Sequence, residues 1–308
     1  NTYIRFKSAS GGAFSAIVER LSKENIIVFG AELDQYFKAI HSYADTIQGA
    51  HKFRKSKYIQ SDIGDSYRQA ECFLKKGKNV LFTGTPCQVA GLKLYLQKEY
   101  INLFTADFVC RGVPSQNVFD LYLLYLRKRY GGGEITYFTF RYKTYSKLQK
   151  WNSRNIKAVI NGKSIIKNHY QDLYLRGYYS SLFYRPSCYV CKFATPHRIS
   201  DITMMDFWKV NKIYPDENPH QGVSAILANT EKGKLLVASM HDLSRLAEID
   251  LKYIKIGQMM RPTPLNPKRE IFFDLLRTTP FDYASKKCIP YHRVLRSRLS
   301  QMIPENIK

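Results

Sequence analysis

The chain has 308 residues, with 48 Lys and Arg against 25 Asp and Glu for a formal charge of +23, and 44% of its residues are hydrophobic. This composition excludes a disordered segment, and the length suits one large domain or two modest ones. Every apolar run is cut by Lys, Arg, Gly or Pro short of the roughly 18 to 20 residues of a spanning helix, so no membrane span is expected.

The elements follow in chain order. Ser8-Ala-Ser-Gly-Gly12 precedes Phe14, Ile17, Val18 and Leu21 at helical spacing, so a Gly-rich turn opens an amphipathic helix. Residues 25–31 read as a buried strand. A helix over 67–76 ends at Gly77 and leads into the apolar run 79–83, again a buried strand. Gly84-Thr-Pro-Cys87 forms a turn, 88–96 a helix and 103–109 the next strand, ending at Cys110-Arg-Gly-Val-Pro114. This βα alternation places two cysteines just past strand ends, where open α/β sheets bind ligands.

Residues 116–130 read as a strong helix closed by Gly131-Gly132-Gly133. The pattern then changes: 137–142 and 155–160 alternate, and Asn161-Gly162 is a type I′ hairpin signal before a strand at 164–167. A short helix is expected over 170–178, further strands at 202–206 and 223–228, and a helix over 230–241 capped by Thr230. From Arg261 the tail carries Pro262, Pro264, Pro267, Pro280 and Pro290 and is expected to wrap the surface or link to another element. The predicted class is α/β: a mixed sheet with flanking helices, a β-rich middle segment and a Pro-rich C-terminal tail. We expect one domain over 1–260 with a β-rich insertion at about 135–184, and an extension over 261–308.

The basic residues are spread along the chain, as in Lys52-Phe53-Arg54-Lys55, Arg127-Lys128-Arg129 and Arg293 to Arg298. With no dense block and no helix-turn-helix or RNP pattern, nucleic acid is an unlikely partner. The charge fits a basic surface that steers an acidic partner or an anionic ligand. Six cysteines at irregular spacing make no secreted disulfide framework, and no signal-peptide pattern opens the chain, so a reducing cytoplasm is expected. The first residue is Asn1 and a basic segment follows at once, so an upstream piece is expected to have been removed.

Four cysteines lie in turn chemistry: Cys87, Cys110 and the pair Cys188 and Cys191. A CxxC pair with two distant single cysteines suits either zinc or an iron-sulfur cluster. Cys72 is expected in the core and Cys288 to be incidental. The Gly11-Gly12 helix start offers backbone N–H groups to a phosphate, although it matches neither the Walker loop nor GxGxxG. Lys55-Ser-Lys-Tyr58 adds cations, a hydroxyl and an aromatic that suit a dinucleotide.

Ser8 to Gly12, Ser56-Lys-Tyr-Ile-Gln-Ser61, Gly84-Thr-Pro-Cys-Gln-Val-Ala-Gly-Leu92, Cys110-Arg-Gly-Val-Pro-Ser115, Cys188-x-x-Cys191 and Ser200-Asp-Ile-Thr-Met-Met-Asp-Phe-Trp208 occur together in this order. In this combination, over roughly residues 1–230, the chain resembles the coenzyme F(420) hydrogenase/dehydrogenase β-subunit family of iron-sulfur flavoproteins. The resemblance implies a 4Fe-4S cluster on Cys87, Cys110, Cys188 and Cys191, and FAD along Ser10, Gly11, Gly12, Lys57, Tyr58 and Ser61. Thr85 and Gln88 would flank the cluster, with Asp206 and the Gln221 to Ser224 turn, including Gly222, near the flavin. The family's electron transfer implies a ferredoxin-type donor, or an upstream ferredoxin-like segment that many members carry and that is absent here, and a small organic acceptor, in the founding members a deazaflavin. Arg111 stands where the family usually has His. A zinc-stabilised binding protein acting on polyanions, or a scaffold in surface-polysaccharide assembly, is the alternative reading.

Overall fold

The computed structural model describes residues 2–23, 25–144, 152–217, 222–243, 245–254 and 257–289. Arg293 to Arg298, Pro290 and Gln221 lie outside the described residues. Among the described residues, nine strands form two sheets: β1 (Ile27–Leu33), β2 (Ala39–Ala44), β3 (Val80–Thr83), β4 (Leu103–Phe108), β5 (Ile135–Thr144), β6 (Asn152–Ile160), β7 (Lys163–Asn168), β8 (Ile202–Asp206) and β9 (Ser224–Ala228). The larger sheet has the order β2-β1-β3-β4-β8-β9. Its central four strands are parallel, and the flanking β2 and β9 run antiparallel, so the sheet is mixed as the sequence predicts.

The burial of β3 on every residue explains its continuous Val-Leu-Phe-Thr run: both faces of a central parallel strand are covered. One face packs on the helix Ala13–Ser22 through Ile17, Val18 and Leu21. The other packs on the helices Ser66–Lys75 and Pro86–Leu96 through Ala70, Leu74, Val89 and Leu92.

β5, β6 and β7 make the antiparallel second sheet, joined at the β6–β7 turn by Asn161 and Gly162, both at positive φ as a type I′ turn requires. Phe138 and Phe140 point from β5 into an aromatic core with Phe119 and Tyr122 of the helix Gln116–Arg129 and Tyr174 of the helix Leu173–Tyr179. The sequence spacing of Val118, Phe119, Tyr122, Leu123 and Leu126 gives the longer helix its buried stripe. The basic last turn complements its dipole.

The Pro-rich tail does more than cover the surface. It forms two helices, Arg269–Thr278 and Phe281–Cys288, whose Phe272, Phe281, Ala284 and Cys288 enter the aromatic core. Cys288 is therefore a packed core thiol rather than an incidental residue, and Cys72, expected in the core, is exposed on its helix. The Pro residues mislead because Pro280 precedes the second helix, a position where a missing N–H costs nothing.

Candidate functional site

Parallel strands deliver their following loops to one sheet edge. Cys87 follows β3 and Cys110 follows the adjacent β4, so topology alone places these two cysteines side by side. The helix Ala13–Ser22 runs back along the sheet before β1, which brings its Gly11-Gly12 start to the same edge. The C-terminal end of β8 at Asp206 and the start of its antiparallel partner β9 at Ser224 complete that edge.

The CxxC pair arrives by a clamp between two loops. Pro114 pairs with Tyr184, the Arg185 N–H donates to the Val113 carbonyl at 3.0 Å, and the Cys188 N–H donates to the Arg185 carbonyl at 3.0 Å. Gly112 is at φ +131, and a Cβ there would come within 2.5 Å of the Tyr184 ring, so only glycine permits the clamp to close. A buried ion pair between Arg198 and Asp107, 2.9 Å apart, ties the segment after Cys191 back to β4.

Cys110 and Cys188 lie within electrostatic reach of the other cysteines. Although Cys110 keeps some exposed surface, its sulfur lies deep enough for burial to push its thiol up to about 12, with Cys188, Cys87 and Cys191 adding to the rise. Burial also raises Cys188, again with contributions from Cys87 and Cys191. The Gly112 backbone beside Cys110 and the Val113 backbone beside Cys188 oppose this rise. A single zinc ion needs its thiolates within about 2.3 Å of one centre. Among the described residues, no three His, Cys, Asp or Glu side chains gather in that way. A cubane asks for less, because each of its irons takes a separate thiolate; Cys87, Cys110, Cys188 and Cys191 match that donor set in type and number.

Thr85 and Gln88 frame Cys87. The Thr85 hydroxyl is 3.1 Å from Cys87 Sγ, and the Thr85 N–H donates to Gln88 Oε1 at 2.9 Å. Ser61 stands on this side of the site: it is buried and its Oγ accepts from Gln88 Nε2 at 2.9 Å.

The second half of the site is a cationic cradle. Gly12 opens the helix at φ +105 with no side-chain cap, leaving its first N–H groups outward. Gly11 lies against β9, where a Cβ would meet Ser224 N at 2.7 Å; its N–H donates to Ser224 Oγ at 3.0 Å. Ser10 Oγ donates to the Val223 carbonyl at 2.8 Å, and Gly222, at φ +87, accepts from Arg5 Nε at 2.7 Å. Lys143 Nζ donates to the Ser10 carbonyl at 2.8 Å and to the Arg5 carbonyl. Arg141 Nη2 lies 2.9 Å from both oxygens of Asp206 and 3.0 Å from the Ala9 carbonyl.

The cations of this cradle outnumber its anions. Burial, then Arg141 and Arg5, push Lys143 down to about 7. Burial, then Lys7 and Lys157, push Lys55 down to about 8. Lys57 falls to about 7 through burial, despite Glu32; its Nζ turns inward onto the Lys52 and Arg54 carbonyls at 2.8 and 2.9 Å. An anion bound beside Lys143 or Lys55 would favour their charged forms.

Tyr58 is buried between the halves. It stacks on Tyr178 with centroids 4.2 Å apart, and its hydroxyl lies 3.0 Å from that of Tyr179 and 3.4 Å from Arg141 Nη1. Arg111, next to Cys110, donates to the Tyr179 carbonyl at 3.4 Å. The residues expected at the flavin thus divide: Ser10, Gly11, Gly12, Asp206, Gly222 and Ser224 gather in the cradle, Tyr58 forms the wall beside it, Lys57 supports a loop, and Ser61 joins Thr85 and Gln88 at Cys87.

Sequence reading missed Arg141, Lys143, Arg5, Tyr179 and His41. The signal for the first two was an alternating strand with cations opposite Phe138 and Phe140. Arg141 has φ +54 at a register shift in the β5–β6 pairing, a bulge that re-aims it toward Asp206.

The model for the C-terminal part of the coenzyme F(420) hydrogenase/dehydrogenase β subunit matches residues 77–252, more than half the chain. No curated protein matches the chain. Among solved structures, the F(420)-reducing NiFe hydrogenase complex from Methanosarcina barkeri contains a chain that superposes with a TM-score of 0.52 at 16% identity. The match covers 98% of this chain and 90% of that one, and at this identity it shows a shared fold. With both cysteine-bearing loops, Cys188-x-x-Cys191 and the β8 motif inside the matched region, the chain belongs to the coenzyme F(420) hydrogenase/dehydrogenase β-subunit family, a family of oxidoreductase subunits.

Proposed function

We propose that this chain is an iron-sulfur flavoprotein that passes electrons between a ferredoxin-type donor and a small organic acceptor, in a reducing cytoplasm. FAD would lie in the cradle of Ser10, Gly11, Gly12, Lys143 and Ser224, and a 4Fe-4S cluster on Cys87, Cys110, Cys188 and Cys191. The observation that carries the reading is the placement of Cys87 and Cys110 at the ends of adjacent strands, with the Cys188 segment clamped to the Cys110 loop, at the same sheet edge as the cationic cradle. Bound there, flavin and cluster supply the conversion between two-electron and single-electron chemistry.

The chain's own residues bind, orient and shield. The uncapped helix start and Lys143 offer N–H and ammonium donors to a pyrophosphate. Asp206, fixed by Arg141, presents a carboxylate whose orientation is set before any ligand arrives. Tyr58 stacks on Tyr178 and Tyr179 meets both edge-on, so packed rings wall the cradle on the side of Cys110. A deazaflavin is the acceptor that the family membership favours, and the basic surface would draw an acidic donor with a dependence on salt.

Replacing Cys188 tests the assignment. Cys188→Ser is expected to lose iron and reduction by ferredoxin while still binding FAD. Unchanged iron content and unchanged reduction would contradict it.

A further inference from the structure

A hydrogen-bond chain runs from β2 to the first cysteine, and its polarity is fixed at the far end. The Thr83 carbonyl only accepts, so His41 Nε2, 3.0 Å away, carries a proton. Burial pushes His41 down to about 4, so the ring is neutral and Nδ1 accepts. Ser61 Oγ, 2.8 Å from Nδ1, therefore donates to His41 and accepts from Gln88 Nε2 at 2.9 Å.

This sets the Gln88 amide. Its nitrogen faces Ser61, and Oε1 faces Thr85, whose N–H donates to it at 2.9 Å. The Thr85 hydroxyl is the first group with a choice: Oγ1 lies 3.0 Å from Gln88 Oε1 and 3.1 Å from Cys87 Sγ. Oε1 already holds the Thr85 amide, so the hydroxyl can turn to sulfur without leaving a buried acceptor empty.

We propose that Thr85, oriented through Gln88, Ser61 and His41, is a positioning residue that donates its hydroxyl hydrogen bond to the Cys87 sulfur when that sulfur ligates iron, and thereby sets the potential of the cluster. The proposal rests on the cluster reading above. A hydrogen bond to a ligating sulfur stabilises the more negative, reduced state and raises the potential. The Thr85 hydroxyl is a side-chain group 3.1 Å from Cys87 Sγ, so substitution can remove it.

The test is a potentiometric titration followed by electron paramagnetic resonance on the full chain, reconstituted anaerobically, with iron and FAD counted per chain. Thr85→Val is expected to carry the cluster at a more negative midpoint than the parent, and Thr85→Ser, which keeps the hydroxyl, to restore it. Loss of iron from Thr85→Val alone would also identify the hydroxyl as the group that matters. A parental midpoint in Thr85→Val, or equal shifts or equal iron loss in both variants, would overturn the proposal while leaving the cluster reading intact. A parent chain that takes up no cluster would overturn both.

Discussion

Lys143 and Lys55, held at about 7 and about 8, make the cradle pH-sensitive in a defined direction. Their folded values lie below the unfolded one, so charging them costs stability below about pH 7, and that cost is removed as pH rises from about 7 toward about 10. A bound anion reverses the preference, because it favours the ammonium form. Nucleotide binding should therefore take up protons, and affinity should fall as pH rises above about 7, by up to about tenfold per pH unit for each lysine that titrates. Calorimetry of FAD binding to the cofactor-free chain, in two buffers of different ionisation enthalpy, reads this directly; no proton uptake would remove the lysines from the site. Turn chemistry and the CxxC spacing singled out the four cysteines in the sequence. Cys87 nevertheless lies in the first turn of the helix Pro86–Leu96 and Cys188 in the short helix Pro186–Tyr189 rather than in turns, because Pro at each helix start opens a helix as readily as a turn. Arg141 and His41 were not legible, since a strand bulge and a pairing across 42 residues of chain, from His41 to Thr83, place them.

At the level of elements, the clamp between β4 and the CxxC segment depends on a desolvated pair. Arg198 and Asp107 are 2% and 0% exposed, so removing the cation leaves a buried carboxyl without its partner. Arg198→Met is expected to lose about 3 to 5 kcal/mol in urea unfolding, together with retention of iron. Full stability in the variant would show that Asp107 finds another partner. The tail makes a second case: Phe272 is fully buried in the aromatic core, so Phe272→Ala should cost about 3 to 5 kcal/mol, whereas a tail that merely covered the surface would lose well under 1. The strands and the longer helices were readable from apolar period. β2 and the helix Thr2–Lys7 were missed because Ala-Ile-His-Ser-Tyr-Ala holds one strong apolar β-former, Ile40, and the short helix buries no residue at all.

For the whole molecule, two sheets divide the work. The mixed sheet supplies the edge on which thiols and cradle meet, and the antiparallel sheet supplies Arg141 and Lys143 that turn the cradle cationic. The aromatic core beneath couples the second sheet to the Cys110 and Cys188 loops through Tyr178 and Tyr184. The central claim is that one chain holds both redox groups at this edge. The direct measurement is the ultraviolet-visible spectrum of anaerobically purified protein, followed by quantification of iron, sulfide, zinc and flavin. The account predicts brown protein with about four irons per chain and one releasable FAD. Colourless protein that takes up neither iron nor FAD on anaerobic reconstitution, or that holds stoichiometric zinc, would contradict it.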